Sequence, residues 1–199
     1  MGILGAGSVA RALAGLARDG GHEPLLSERE PKADTLSFED AAKSGDIVII
    51  AVPYTATTTL LPPLAGVLAG KTVVDATNPL NDDWSPKILG TETSAAGEIT
   101  KLLPGAQIVK AFNTVFADIM TSDKLTRLGV SVTGFVAGDD SGARRQVADL
   151  VKGMGLHPVE TGPLSTARYL EAIAHLNIAI AVGQSGGTDA AFLYHQAAG

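Results

Sequence analysis

Short apolar runs bounded by Gly, Pro, Asn and Asp recur along this chain, and between them lie stretches with apolar residues at helical spacing. The first run, through Ile3 and Leu4, leads directly into Gly5-Ala6-Gly7-Ser8-Val9-Ala10. A helical run follows from Arg11 to Arg18, with Leu13, Leu16 and Ala17 on one face. Pro24-Leu25-Leu26 is a second apolar run. It ends in the polar cluster Ser27-Glu28-Arg29-Glu30, then Pro31 to Thr35 reads as loop and Ser37 caps a short helix with Asp40 in its first turn. Ile47 to Pro53 is continuously apolar, the pattern of a strand buried on both faces of a parallel sheet. Helical spacing at Leu60, Leu64, Val67 and Leu68 precedes another strand, Thr72 to Ala76.

Asn78 to Gly97 has neither period and reads as a long loop leaving the carboxyl end of a strand. Thr93 or Ser94 then caps a helix through Ile99, Leu102 and Leu103, followed by a strand from Gln107 to Phe112 and an alternating strand from Val130 to Ala137. A helix from about Ser141 to Met154 leads to a last strand, Leu156 to Glu160, a turn at Thr161 to Leu164, and a long helix opened by Ser165 or Thr166. Apolar positions go nearly all round that helix, so burial is expected, against a second subunit included. The alternation predicts an α/β fold: a Rossmann-type, doubly wound, mainly parallel sheet over residues 1–160, with a C-terminal helix and tail over 161–199 packing on the site.

The opening turn carries the first chemistry. In G-x-G-x-x-A between strand and helix, the first glycine turns the chain and the second lets a pyrophosphate approach the backbone. The small third residue packs helix on strand, and the helix-start amides hold the phosphates. A carboxylate at the end of the second strand binds the two ribose hydroxyls of NAD, whereas Ser plus Arg there grips a 2′-phosphate. Ser27-Glu28-Arg29 supplies both kinds, so the choice turns on whether Glu28 faces the ribose.

Composition narrows the partners. A net charge of −6 without a Lys/Arg run argues against nucleic acid or an anionic membrane. The absence of cysteine removes disulfides, thiolate catalysis and cysteine metal sites. No apolar stretch is long enough to span a bilayer and no export signal is expected, which fits a cytoplasmic protein.

Gly183-Gln184-Ser185-Gly186-Gly187, followed by Asp189 and His195, matches G-x-S-x-G and the order of a hydrolase triad. A nucleophile elbow needs a strand before its serine, and a helix is expected there instead. His22, His157, His175 and His195 lack zinc-helix spacing, and His175, on an apolar helix face, reads as a hydrogen-bonded core histidine. Asp75, Asp82 and Asp83 read as loop-capping or solvated carboxylates. No catalytic acid or base and no metal ligand is predicted. Hydride transfer between two redox cofactors needs mainly alignment of donor and acceptor carbons.

Several spaced motifs together bring a resemblance: Gly5-Ala6-Gly7-Ser8-Val9-Ala10, Ala51-Val52-Pro53, Asp75-Ala76-Thr77-Asn78-Pro79-Leu80, Val109-Lys110-Ala111-Phe112-Asn113-Thr114, Ala137-Gly138-Asp139-Asp140, and Gly162-Pro163-Leu164 with Ala167-Arg168 and Glu171. Across essentially the whole chain the sequence resembles the NADPH-dependent reductases of coenzyme F420. The resemblance implies hydride exchange between NADP and the deazaflavin ring of F420, a small-molecule redox co-substrate, by a homodimer. It puts the pyrophosphate on Ala6, Gly7, Ser8 and Val9, and the 2′-phosphate near Glu28 and Arg29. Val52, Pro53 and Asn78 then line the cleft, Ala111 lies near the nicotinamide, and Thr188 in the tail approaches the deazaflavin. Gly5, Ser27, Ala51 and Asn113, in or beside the motifs, complete the expected cofactor-binding set. The chain departs from the pattern at Glu28, where the family has a serine before the arginine, so NAD against NADP stays open. Other readings are an NAD(P)H-dependent reductase of flavin, ferric chelate or a small carbonyl compound, and an NAD(P)-sensing module without turnover.

Overall fold

The computed structural model describes residues 1–196. Residues 197–199 of the expected C-terminal segment lie outside the described residues. A seven-stranded sheet forms the centre, in the order β2-β1-β3-β4-β5-β8-β9. Its strands are β1 (Gly2–Leu4), β2 (Leu25–Ser27), β3 (Ile47–Ile50), β4 (Thr72–Asp75), β5 (Gln107–Lys110), β8 (Thr133–Gly138) and β9 (His157–Gly162). The first five run parallel, β8 is antiparallel to β5, and β9 is parallel to β8. The expected mainly parallel, Rossmann-type sheet is present. Ile3, Val48, Ile49, Ile50, Val73 and Val74 are buried, which is why the central strands read as unbroken apolar runs.

Helices α1 (Ser8–Asp19), α2 (Phe38–Lys43), α5 (Ala95–Leu102), α6 (Ser141–Gly153) and α7 (Ala167–Ile178) cover the sheet. Their starts follow capping rules: the hydroxyls of Ser37 and Ser94 accept from the amides of Asp40 and Gly97, and the Asp140 carboxylate accepts from that of Ala143. One core lies beneath α1 and α6 and another beneath α2 and α5. Among the described residues no helix is long and apolar enough to cross a membrane.

Several local expectations are corrected. The helical pattern through Leu60 to Leu68 forms short pieces, with α3 (Thr57–Leu60) and α4 (Ala65–Leu68) separated by a 3-10 turn at Pro62–Leu64. Pro62 and Pro63 have no amides to continue the ladder. The strand expected over Val130 to Ala137 divides, because a small hairpin of β6 (Thr126–Arg127) and β7 (Val130–Ser131) precedes β8, turning through Leu128 and Gly129 at positive φ. β5 stops at Lys110 and not at Phe112, which takes φ +65 and turns the chain. β9 continues through Thr161 and Gly162, placed in the turn by sequence, and the 3-10 turn comes at Leu164–Thr166. α7 is not buried all round: Ala167, Leu170, Ala174 and Ile178 face inward, while Tyr169 and Leu176 are exposed. Beyond α7 a wide turn, Ala179–Gly183, leads into an extended tail. Phe192 packs against Phe135 and Leu170, and the Thr133 hydroxyl accepts from the Tyr194 amide at 2.8 Å.

Candidate functional site

A cleft of about 620 Å³ opens over the carboxyl ends of the central strands, at the point where the order reverses around β1. Gly7, Ser8 and Val9 line it after β1, Ala51 to Thr55 after β3, Ala76 to Asn78 after β4, and Asn113 to Asp118 after β5. Asn81, Asp82 and Trp84 come from the long loop, Ala174, Asn177 and Ile178 from α7, and Val182 and Thr188 from beyond it.

The glycine-rich turn is shaped by two different constraints. Gly5 has φ +139, and a Cβ on it would lie 2.4 Å from the Ala51 carbonyl oxygen, so the protein itself requires glycine there. A Cβ on Gly7 would meet nothing within 4 Å and would project into open space. That space, beside the uncapped first turn of α1, is the shape a pyrophosphate cradle needs. The Ala6 carbonyl accepts from Arg11 Nε at 3.0 Å, which steadies the turn from outside.

At the expected adenosine end the side chains are committed differently from the sequence expectation. The Ser27 hydroxyl is buried and donates to the Ile3 carbonyl at 2.8 Å, so in this conformation it presents nothing to a 2′-phosphate. Glu28 accepts from Lys32 Nζ at 2.9 Å and from the Thr35 hydroxyl at 2.8 Å. These bonds, Lys32 first, hold its carboxyl below the usual carboxylate range. Arg29 is exposed and has no ion-pair or hydrogen-bond partner among the described residues.

The opposite end is built from long-range contacts. The Asn78 amide nitrogen donates to the Asn113 backbone carbonyl at 2.8 Å, while that of Asn113 donates to Asn78 Oδ1 at 2.9 Å and to the Leu170 carbonyl at 3.2 Å. The two backbone carbonyls fix both amide orientations, since only an NH2 can face them. The left-handed turn at Phe112 brings Asn113 off β5 into this position. Thr188 lies at the mouth, its hydroxyl donating to Asp118, and Asp189 next to it pairs with Arg127. Ser185 follows a helical turn, without the strand a nucleophile elbow requires.

Beneath this end lies a group that sequence reasoning missed. Lys110 is fully buried, and its ammonium donates to Asp75 Oδ2 at 2.8 Å and to the Thr77 carbonyl at 2.6 Å, with Glu171 Oε1 at 2.9 Å. Glu171 in turn accepts from the amides of Ala95 and Ala96 at the start of α5, at 3.0 and 3.4 Å. Burial pulls the ammonium's pKa down, but Asp75 and Glu171 outweigh it and hold it above its ordinary value. Asp75 therefore caps the start of the loop, accepting from the Thr77 amide as expected, but it is a buried ion-pair partner and not a solvated carboxylate. The only sequence signal was a lysine and an aspartate closing otherwise apolar strands. Glu171, 96 positions after Asp75 and 61 after Lys110, stood only among the motifs of the resemblance, with nothing to link it to either strand end. Tyr54, on the cleft wall, has its phenol pushed up by burial and then by the charges of Glu98, Glu171 and Asp75, so it stays protonated.

Of the expected site residues, Gly7, Ser8, Val9, Ala51, Val52, Pro53, Asn78, Asn113 and Thr188 come together on this one cleft. Gly5 and Ala6 form the turn behind it, and Glu28 and Arg29 lie outside its lining. Ala111 is fully buried in the core below and lines no part of it, because the chain reaches the cleft only after turning at Phe112. His175 sits outside too, half-buried, with Nε2 3.1 Å from the Pro79 carbonyl. Among the described residues no His, Cys, Asp and Glu group has the arrangement of a metal site.

A family model for NADP oxidoreductase, coenzyme F420-dependent, matches residues 1–79. Over 163 residues the chain is 30% identical to the F420-dependent NADP reductase of Methanocaldococcus jannaschii, covering 78% of this chain and 72% of that one. The chain belongs to this family. As a member of it, the protein is an oxidoreductase of the NADP-dependent kind. It is also 31% identical over 182 residues to metalloreductase STEAP3 of Rattus norvegicus, covering 87% of this chain and 36% of that protein. The chain thus spans about a third of that relative's length. A crystal structure from Arthrobacter sp. FB24, of a candidate F420-dependent NADP-reductase, superposes with a TM-score of 0.86 at 29% identity, covering 98% of each chain.

Proposed function

We propose that the protein transfers a hydride between NADP(H) and the deazaflavin coenzyme F420, acting as a cytoplasmic homodimer. The observation that carries this reading is the shape of the cleft. It starts at the open space beside Gly7 and the free amides of α1, crosses the strand ends, and closes among Trp84, Phe116, Ile178 and Val182, which offer apolar surface to a second planar group.

The residues present fit a dinucleotide. Gly7, Ser8 and Val9 would hold the pyrophosphate through backbone amides. With the Glu28 carboxylate occupied by Lys32 and Thr35, the uncommitted Arg29 favours a 2′-phosphate, which supports NADP over NAD. When bound, the reduced nicotinamide supplies the hydride. The chain's part is to align two rings and exclude water. The exposed side of α7, with Tyr169 and Leu176, supports a second subunit.

A second reading, reduction of a flavin or ferric chelate by the same dinucleotide, is favoured by the likeness to metalloreductase STEAP3. Loss of nicotinamide absorbance, with F420 in one arm and a simple flavin or ferric chelate in another, each with NADPH and with NADH, tests both. Turnover confined to NADPH with F420 is the expected result. Turnover only in the flavin or ferric arm would replace the first reading with the second.

A further inference from the structure

The cleft has two walls at its far end, and both are tied to one ammonium. On one side, Lys110 donates to Asp75 and to the Thr77 carbonyl, while the other Asp75 oxygen accepts from the Thr77 amide at 2.9 Å. Both polar groups of the Thr77 backbone are thereby fixed, and Thr77 and Asn78 form that wall. On the other side, Lys110 pairs with Glu171 on α7. Ala174 and Ile178, three and seven residues on, share the helical face of Glu171 and form the opposite wall. Any slide or rotation of α7 at Glu171 moves them.

We propose that Lys110 and Glu171 are positioning residues for hydride transfer: their ion pair fixes the spacing between the Thr77–Asn78 wall and helix α7, and so the gap in which donor and acceptor rings meet. This rests on the hydride-transfer reading above. Apolar side chains of similar volume would hold α7 at least as strongly, because desolvation consumes most of what a buried ion pair gains. What the pair adds is direction. Glu171 Oε1 faces the ammonium at 2.9 Å and Oε2 accepts from the Ala95 amide, so α7 has one register against both β5 and the start of α5. Reacting carbons must be held within about half an ångström of the productive geometry, which calls for directed hydrogen bonds as well as packing. The glycine-rich end shares none of these groups.

Glu171→Gln tests this with two readouts. It leaves Lys110 with Asp75, so no unpaired charge is created. NADPH affinity should stay within about twofold of wild type while kcat with F420 falls by about tenfold or more. Amide exchange over residues 167–178 should quicken by about tenfold, with residues 8–19 unchanged. Lys110→Met is the second arm. Where two uncompensated carboxylates stop it folding, D75N/K110M/E171Q, neutral throughout, replaces it, with the same split expected. Unchanged kcat and exchange in folded Glu171→Gln would overturn the proposal. So would parallel losses of affinity, kcat and Tm, the mark of general destabilisation. Wild-type protein that binds no dinucleotide or turns over no acceptor would defeat the hydride-transfer reading instead. The exchange measurement then decides the coupling by itself: loosening confined to 77–78 and 167–178 upholds it, and uniform or absent loosening ends it.

Discussion

At its β1–α1 end the cleft is made almost wholly of backbone: a glycine turn, the amides of one helix start, and a carbonyl steadied by Arg11. At its far end it is made of side chains from β4, β5, the long loop, α7 and the tail, held by amide pairs and a buried charge cluster. The first end is a local solution, complete within about a dozen residues. The second exists only once segments as far apart as Asp75 and Glu171 have met. A cradle for an invariant pyrophosphate can be local because its chemistry never changes, whereas alignment of two rings needs walls that can be set independently.

The sharpest way to break the contrast lies within the turn itself. Gly7→Val should leave the fold intact, because Gly7 has φ −75 and open space around its missing Cβ, yet raise the dinucleotide Kd by about 100-fold or more, ~2.7 kcal/mol. Gly5→Ala should do the reverse first, lowering stability by about 2–4 kcal/mol through the clash with the Ala51 carbonyl. Isothermal titration and thermal melting on both variants separate these effects. Normal NADPH affinity in folded Gly7→Val would remove the phosphate site from this turn.

The same contrast explains what was legible in the sequence. Gly5 to Ala10 and the apolar run Ile47 to Val52 announce their roles through spacing and period, and the structure puts them where those signals point. Asn78 and Asn113 were legible because they stand just past strand ends, where ligands bind in such sheets. Lys110, two residues before the expected end of β5, was not, since a lysine near a strand terminus ordinarily reaches solvent. Ala111 was misplaced for a related reason: nothing in the letters Ala-Phe-Asn marks Phe112 for positive φ, and that turn decides which residue faces the cleft. Ser27 illustrates the converse, a residue of the right type in the right place whose hydroxyl is consumed by the Ile3 carbonyl.

A smaller effect sharpens the comparison at the adenosine end, where side chains are added to a backbone cradle. Glu28→Ser removes the carboxylate, restores a serine before Arg29 and frees Lys32. The preference for NADPH over NADH, measured as the ratio of kcat/KM, should rise by roughly three- to tenfold, since both cations then face a 2′-phosphate. The gain should shrink as salt is raised. An unchanged ratio would show that Glu28 and Lys32 neutralise each other without regard to the nucleotide.

The smallest expected effect belongs to the far end and concerns pH. His175 is half-buried on α7, and burial, the main cause, holds its pKa below the ordinary value of about 6.5 despite the bond to the Pro79 carbonyl. The folded chain therefore takes up a proton less readily than the unfolded one. Its stability contribution is fully present above about pH 6.5 and is lost as pH falls toward the folded-state pKa, because the unfolded state then binds more protons. The Nε2 bond to Pro79 and the Glu171 carboxylate both favour the protonated ring, so it is the cost of burying the charge on α7, not loss of that bond, that should loosen the helix in acid. His175→Gln keeps an amide donor and removes the titration. Its Tm between pH 5 and 7 should vary less than that of wild type, by a degree or two at most. Since the same helix carries Glu171, kcat should fall in acid in wild type and fall less in His175→Gln, while NADPH affinity at the glycine turn follows one curve in both proteins. Acid profiles of kcat that superimpose would place His175 outside the machinery that holds the far wall.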